Sequence, residues 1–183
     1  IEGDYLEFRL RRYLTFAEFK SELAPHFGLG LEGYATWTSP IRKYSDMVNH
    51  RLIKAVLTQQ ACEKPQDEVL ARLQEARRQN RLVERDIADW LYCRYLADKV
   101  AENAEFDAEV QDVMRGGLRV QLLENGASMF VPASTLHPNK DEMQVNADEL
   151  ALYIQGERRY KIGDLVKVKL TEVREETRSI IGQ

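Results

Sequence analysis

The chain has 183 residues, 44% of them hydrophobic and 31% charged, with 26 Lys and Arg against 30 Asp and Glu for a formal charge of −4. This is the balance of an ordinary globular chain of one or two domains, without a whole-chain basic field for nucleic acid, so any such contact must come from a local patch. No stretch approaches the roughly 18 apolar residues of a membrane span, no basic-then-apolar leader opens the chain, and Cys62 and Cys93, outside any CxxC or Cys/His spacing, read as two free thiols of a cytoplasmic protein.

The chain opens on Ile1 rather than Met, as expected of part of a longer product. Residues 16 to 24, FAEFKSELA, have the spacing of a short helix closed by Pro25. Gly28, Gly30 and Gly33 then fall too densely for a helix, and Tyr34 and Trp37 suit extended chain, so a glycine-rich loop and an extended segment are expected. In TWTSPIRKYSDMVNHRLI, residues 36 to 53, Ser39 is the expected N-cap and Pro40 the first helical residue. Ile41, Tyr44, Val48, Leu52, Ala55 and Val56 then form the core-facing stripe. This places Arg42 and Lys43 in the first turn, where the helix dipole disfavours positive charge, so something negative is expected there. After the polar break TQQACEKPQD, a second helix is predicted from about Val69 to Lys99, with Leu70, Leu73, Val83, Ile87, Leu91 and Tyr95 as its apolar stripe. Some 30 residues span about 45 Å and need a sizeable body beneath them, so residues 1–99 are expected to be the tail of a larger domain.

Near Phe106 the period changes to two. FDAEVQDV, LRVQLL, SMFVPAS, LALYIQ and DLVKVKLTEV read as five short strands, separated by RGG, ENG and IGD turns. The expected architecture is therefore α+β, with a helical part over 1–99 and a five-stranded Greek-key barrel of the oligonucleotide-binding (OB) type over 100–183.

The run from His26 to Ile53, with its His-Phe-Gly-Leu, Thr-Ser-Pro-Ile-Arg-Lys-Tyr-x-Asp and His-Arg-Leu elements, resembles the signature near the C-terminal end of the catalytic domain in the RNB exoribonuclease family. Lys43 stands where that family more often has Arg. YKIGDLVKVKLTEV, residues 160 to 173, is similar to a hairpin of the S1-type RNA-binding domain that follows the catalytic domain in that family. The resemblance implies a 3′→5′ hydrolytic exoribonuclease, monomeric as a whole, that acts on single-stranded RNA with magnesium. The metal would sit on an aspartate cluster upstream of this chain. It implies that Arg42 grips the scissile phosphate and that Glu84 lies near the 3′-terminal nucleotide, where it would help select RNA over DNA.

From the spacing alone, Arg42 could equally pair with Asp46 at i+4, and Glu84 with Arg81 or Arg85. Thr38 and Ser39 could donate hydroxyls to a phosphate, Ser39 also being the expected cap. Tyr44 could stack on a base or pack in the core. Asp46, His50 and Arg51 form a candidate supporting network, while His26, His50 and His137 are not read as ligands or catalysts. In the barrel, Gly116, Arg119 and Pro132 occupy positions where the family carries aromatics and a histidine. A weaker, more electrostatic grip is therefore expected, with Arg119 and Arg178 as the favoured phosphate contacts among several cations, and Phe130 assigned to the core.

Overall fold

The computed structural model describes residues 13–14 and 16–183. They fall into two compact units, one of residues 14–83 and one that contains residues 84–183. Among the described residues the expected helix over 16–24 is absent. Instead the segment lies as an irregular strap against the long helix. Phe16 sits beneath the Arg81 guanidinium and Phe19 beneath that of Arg77, and the Ala17 carbonyl accepts a 3.2 Å hydrogen bond from Gln74 Nε2. A backbone carbonyl pointed outward at a side chain is one a helix would have used internally.

Helix α1 spans Tyr44–Leu57, with Lys43 as its N-cap. It starts four residues later than the Ser39 and Pro40 pattern predicts, and Ser39 is not its cap. The Ser39 carbonyl accepts the amides of Arg42 (3.3 Å) and Lys43 (2.9 Å), closing a separate turn. Lys43 is extended, at φ −121° and ψ 111°, so the turn cannot run on into the helix. The predicted stripe is covered only in part. Ala55 is buried and Val48 and Leu52 are half-buried, while Ile41, Tyr44 and Val56 are exposed.

Helix α2 spans Asp67–Leu96, 30 residues, and begins with Asp67 and Glu68 at the end where the dipole favours carboxylates. Its length agrees with the prediction; its buried face agrees only in the first turns, where Leu70 and Leu73 are half-buried. Val83, Ile87, Leu91 and Tyr95 are exposed, and the C-terminal turns bury Cys93 and Leu96 instead, with Tyr92 half-buried beside them. The covered face is thus rotated by about one residue from the stripe, because the element that covers it lies far along the chain. Cys93 and Leu96 join the barrel's hydrophobic core, and the Tyr92 hydroxyl donates to the Asn125 carbonyl at 3.0 Å.

The barrel is closed in the order β1(Glu105–Met114), β2(Gly117–Leu122), β3(Ser128–Pro132), β8(Ser179–Gly182), β7(Leu165–Arg174). Alternation delivers Phe106, Ala108 and Val110, Leu118, Val120 and Leu122, Met129 and Val131, and Val168 and Leu170 to one interior. Five strands close it, as predicted, but one of the five differs. The run at 150–155 is not in the barrel. β5(Ala151–Ile154) pairs with β4(Met143–Asn146) and β6(Glu157–Lys161) in a separate three-stranded sheet. The closing strand is β8, which pairs antiparallel with β7 and parallel with β3 through Phe130 and Ile181. The stretch 160–173 is likewise not one hairpin, since β6 pairs with β5 and β7 with β1 and β8.

Candidate nucleic-acid interface

The turn ahead of α1 is built by the helix itself. Asp46 is the buried charged side chain among the described residues. Its carboxylate accepts the Thr36 hydroxyl at 2.5 Å, the Ser39 amide at 2.9 Å and the Ser45 hydroxyl at 3.2 Å. The Thr36 hydrogen bond, foremost, holds the Asp46 carboxyl below the usual aspartate value despite the opposing effect of burial. The Ser39 amide, the Ser45 hydroxyl and the charge of Lys43 act in the same direction as Thr36. One turn on, Asn49 Nδ2 donates to the Thr36 carbonyl at 2.8 Å. His50 Nε2 lies 2.9 Å from the Trp37 carbonyl, and its ring stacks on Trp37 with centroids 4.0 Å apart and planes at 15°. A carbonyl partner requires the proton on Nε2. Arg51 is exposed, and the place expected for it in this network is taken by Asn49.

These contacts leave two features facing outward. Among the described residues no side chain caps α1, so its first amides remain available. Arg42 is exposed, and among the described residues no carboxylate pairs with it; the alternative partner, Asp46, is turned inward to Thr36 and Ser39. Three other arginines of this unit are engaged. Arg78 forms hydrogen bonds with both oxygens of Glu75, whose carboxyl drops to about 2 for that reason foremost. Arg77 and Arg81 lie over phenylalanine rings. Thr38 is exposed beside the turn, Ser39 is half-buried, and Lys43 and Tyr44 are exposed; Tyr44 is therefore not the core residue its spacing suggested.

In the other unit, Glu84 is exposed midway along α2, and among the described residues neither Arg81 nor Arg85 forms an ion pair with it. Arg119 projects from β2 to the barrel exterior between buried Leu118 and Val120. Its cross-strand partner is Phe130, which is half-buried and points outward with it. Phe130 is thus not core. The signal was in the strand period: Met129 and Val131 point inward, so Phe130 between them must point out. Arg178 forms an ion pair with Asp86 of α2. Gly116 bears no side chain over the Phe130 ring tip, which a Cβ there would approach to 3.8 Å. Among the described residues no three His, Cys, Asp or Glu side chains come together as a metal-holding group. The residues present therefore do not fit the metal that the RNB resemblance implies.

Residues 2–59 match the RNB domain model and residues 99–183 the S1 RNA binding domain model. Exoribonuclease 2 of Haemophilus influenzae (strain 86-028NP) is 87% identical over 183 residues, covering 100% of this chain and 28% of that protein. The Exoribonuclease 2 of Pasteurella multocida (strain Pm70) is 75% identical over 182 residues, with the same 28% share. The chain thus spans little more than a quarter of the length of these relatives. In fold it is similar to Mycoplasma genitalium RNase R in complex with ribose methylated single-stranded RNA, at a TM-score of 0.76 and 23% identity over 95% of this chain and 28% of that one. With one family model matched before α2 in sequence and another after it, the chain is a stretch of RNB domain followed by an S1 RNA-binding domain, and along all its residues it is closely similar to part of Exoribonuclease 2.

Proposed function

We propose that this chain is the C-terminal part of a processive 3′→5′ exoribonuclease that hydrolyses single-stranded RNA to 5′-mononucleotides, with Arg42 clamping the scissile phosphate. The observation that carries this reading is the exposed guanidinium of Arg42, without an ion-pair partner among the described residues, on a turn pinned from behind and beside a helix start that no side chain caps. A planar guanidinium and a set of free amides are two independent recognisers of phosphate oxygens. Lys43 adds charge, Thr38 and Ser39 offer hydroxyls, and Tyr44, exposed, offers a ring to a base. Glu84 would accept hydrogen bonds from the ribose hydroxyls at the 3′ end. A divalent metal, magnesium, would be held by residues outside this chain. We divide the chain functionally at 99/100 and place the whole protein in the cytoplasm as a monomer.

The test uses the full-length protein and a 5′-labelled single strand of RNA with magnesium. It should shorten the strand one nucleotide at a time from the 3′ end, while this chain alone should bind it without cleavage. Glu84→Ala should reduce the preference for RNA over the matching DNA strand by about 10-fold, the scale of one or two lost hydrogen bonds to a charged group. Endonucleolytic fragments, or an unchanged RNA/DNA ratio, would remove the directional reading or the role of Glu84 respectively.

For the barrel we propose a clamp in which Arg119 contacts phosphate and Phe130 beside it contacts a base, with Arg178 contributing once it leaves Asp86. Affinity of this chain for a single strand should fall steeply with salt. Each phosphate neutralised contributes about 0.7 to the slope of log K against log salt. Arg119→Ala should reduce that slope by about this amount. A slope near zero for the unmodified chain would rule out an electrostatic clamp.

A further inference from the structure

We propose that Asp46, Asn49 and His50 act as a clasp that sets the direction of Arg42, with Asp46 as its positioning residue; this rests on the reading of Arg42 as the phosphate clamp. Arg42 sits in a short exposed turn, the kind of segment that is ordinarily mobile and poorly suited to holding a charge in one place. Here the turn is tied to the rigid helix that follows it. Positions 46, 49 and 50 fall at i, i+3 and i+4, one face of α1. All three reach back to residues 36–39, gripping Thr36 twice, Trp37 by carbonyl and ring, and Ser39 by its amide.

Ser39 is the hinge point of this arrangement. Its amide is fixed by Asp46, and its carbonyl receives the amides of Arg42 and Lys43. A continuous set of hydrogen bonds therefore runs from the helix through Ser39 to the backbone of the arginine. Burying a carboxylate is costly unless its acceptor sites are filled. Asp46 is fully buried with three donors on it, and none of the three comes from the guanidinium four residues away. That cost is hard to explain by stability alone, since a neutral cap at this helix start would serve stability as well. It is explained by fixing the turn geometry.

The test is a double-mutant cycle in the full-length protein, read as kcat and KM on poly(A) together with the thermal midpoint. Asp46→Ala should lower kcat by about 10²-fold, the scale of a displacement near 1 Å in a reacting group's support, with KM changed far less. In an Arg42→Ala background the same substitution should add little, because there is no guanidinium left to misplace. Should Asp46→Ala fail to fold, Thr36→Val removes one rung at constant shape. It should lower kcat by about 5- to 10-fold and likewise lose its effect when Arg42 is absent. Equal losses in both backgrounds, or full kcat in the Asp46 and Thr36 variants while Arg42→Ala is slow, would overturn the clasp and leave the phosphate reading standing. Full turnover by Arg42→Ala itself would overturn both.

Discussion

Arg42→Ala in the full-length protein should lower kcat on single-stranded RNA by about 10²–10³-fold, the range seen when one preorganised charge-stabilising donor is removed from an active site. Its thermal midpoint should stay where it was. The second expectation follows from what the side chain touches. Arg42 is exposed, and among the described residues it has no ion-pair partner, so truncation removes no packing and strands no buried group. Arg42→Lys is the sharper variant. It keeps the charge but loses the planar fork, so bidentate contact with two phosphate oxygens is no longer possible. It should recover only part of the loss. Rates from single-turnover cleavage of poly(A), beside thermal unfolding, decide the matter. Normal turnover with either substitution would show that no phosphate is clamped there, and a large fall in stability would assign the arginine to the fold.

The barrel should prove sensitive at one glycine. Gly117→Ala should destabilise it by more than about 2 kcal/mol, a fall in thermal midpoint of roughly 10 °C for a unit of this size. Gly117 has φ +141°, and a Cβ built on it would lie 2.0 Å from the Val131 carbonyl oxygen. It begins β2, opposite Pro132 at the end of β3. Neither neighbour can give way without breaking the β2–β3 register, on which the placement of Arg119 and Phe130 depends. Gly156→Ala is the control. It too has positive φ, +80°, but nothing lies within 4 Å of its added Cβ, so only the backbone preference is lost, about 1 kcal/mol. Comparable shifts for the two variants would show that conformation, not close approach, governs both. No shift at Gly117 would show that the β2–β3 edge is pliable.

The late start of α1 alters the electrostatics of the turn while leaving its chemistry in place. The cations were expected inside the first helical turn, opposed by the dipole. They sit just before it, in a turn closed by Ser39, with the uncapped amides alongside. Ser39 and Pro40 are good helix starters by local preference, and local preference is a weak prior where long-range contacts fix the backbone. Here the Ser39 amide is held by Asp46, which is fully buried and must fill its acceptor sites, and Lys43 is extended between the Ser39 turn and the helix. Asn49 belongs to this network and the exposed Arg51 does not, for a related reason. Charge draws attention in a sequence, whereas a side chain that reaches a backbone carbonyl 13 residues earlier leaves no local sign.

Whatever depends on neighbours within a few residues was legible along the chain. That includes the long helix over 67–96, the change from helical to strand period near residue 105, five strands in a closed barrel, the cations grouped at 42–43, and the family these motifs resemble. Long-range packing settled which five strands close the barrel, which face of the long helix is covered, and which way Asp46 and Phe130 point. The division follows from the range of the interactions. Helical and strand periods come from repeat geometry along the chain. The parallel pairing of Phe130 with Ile181, and the burial of Cys93 and Leu96 with the barrel core, are contacts between distant residues that no window of sequence contains.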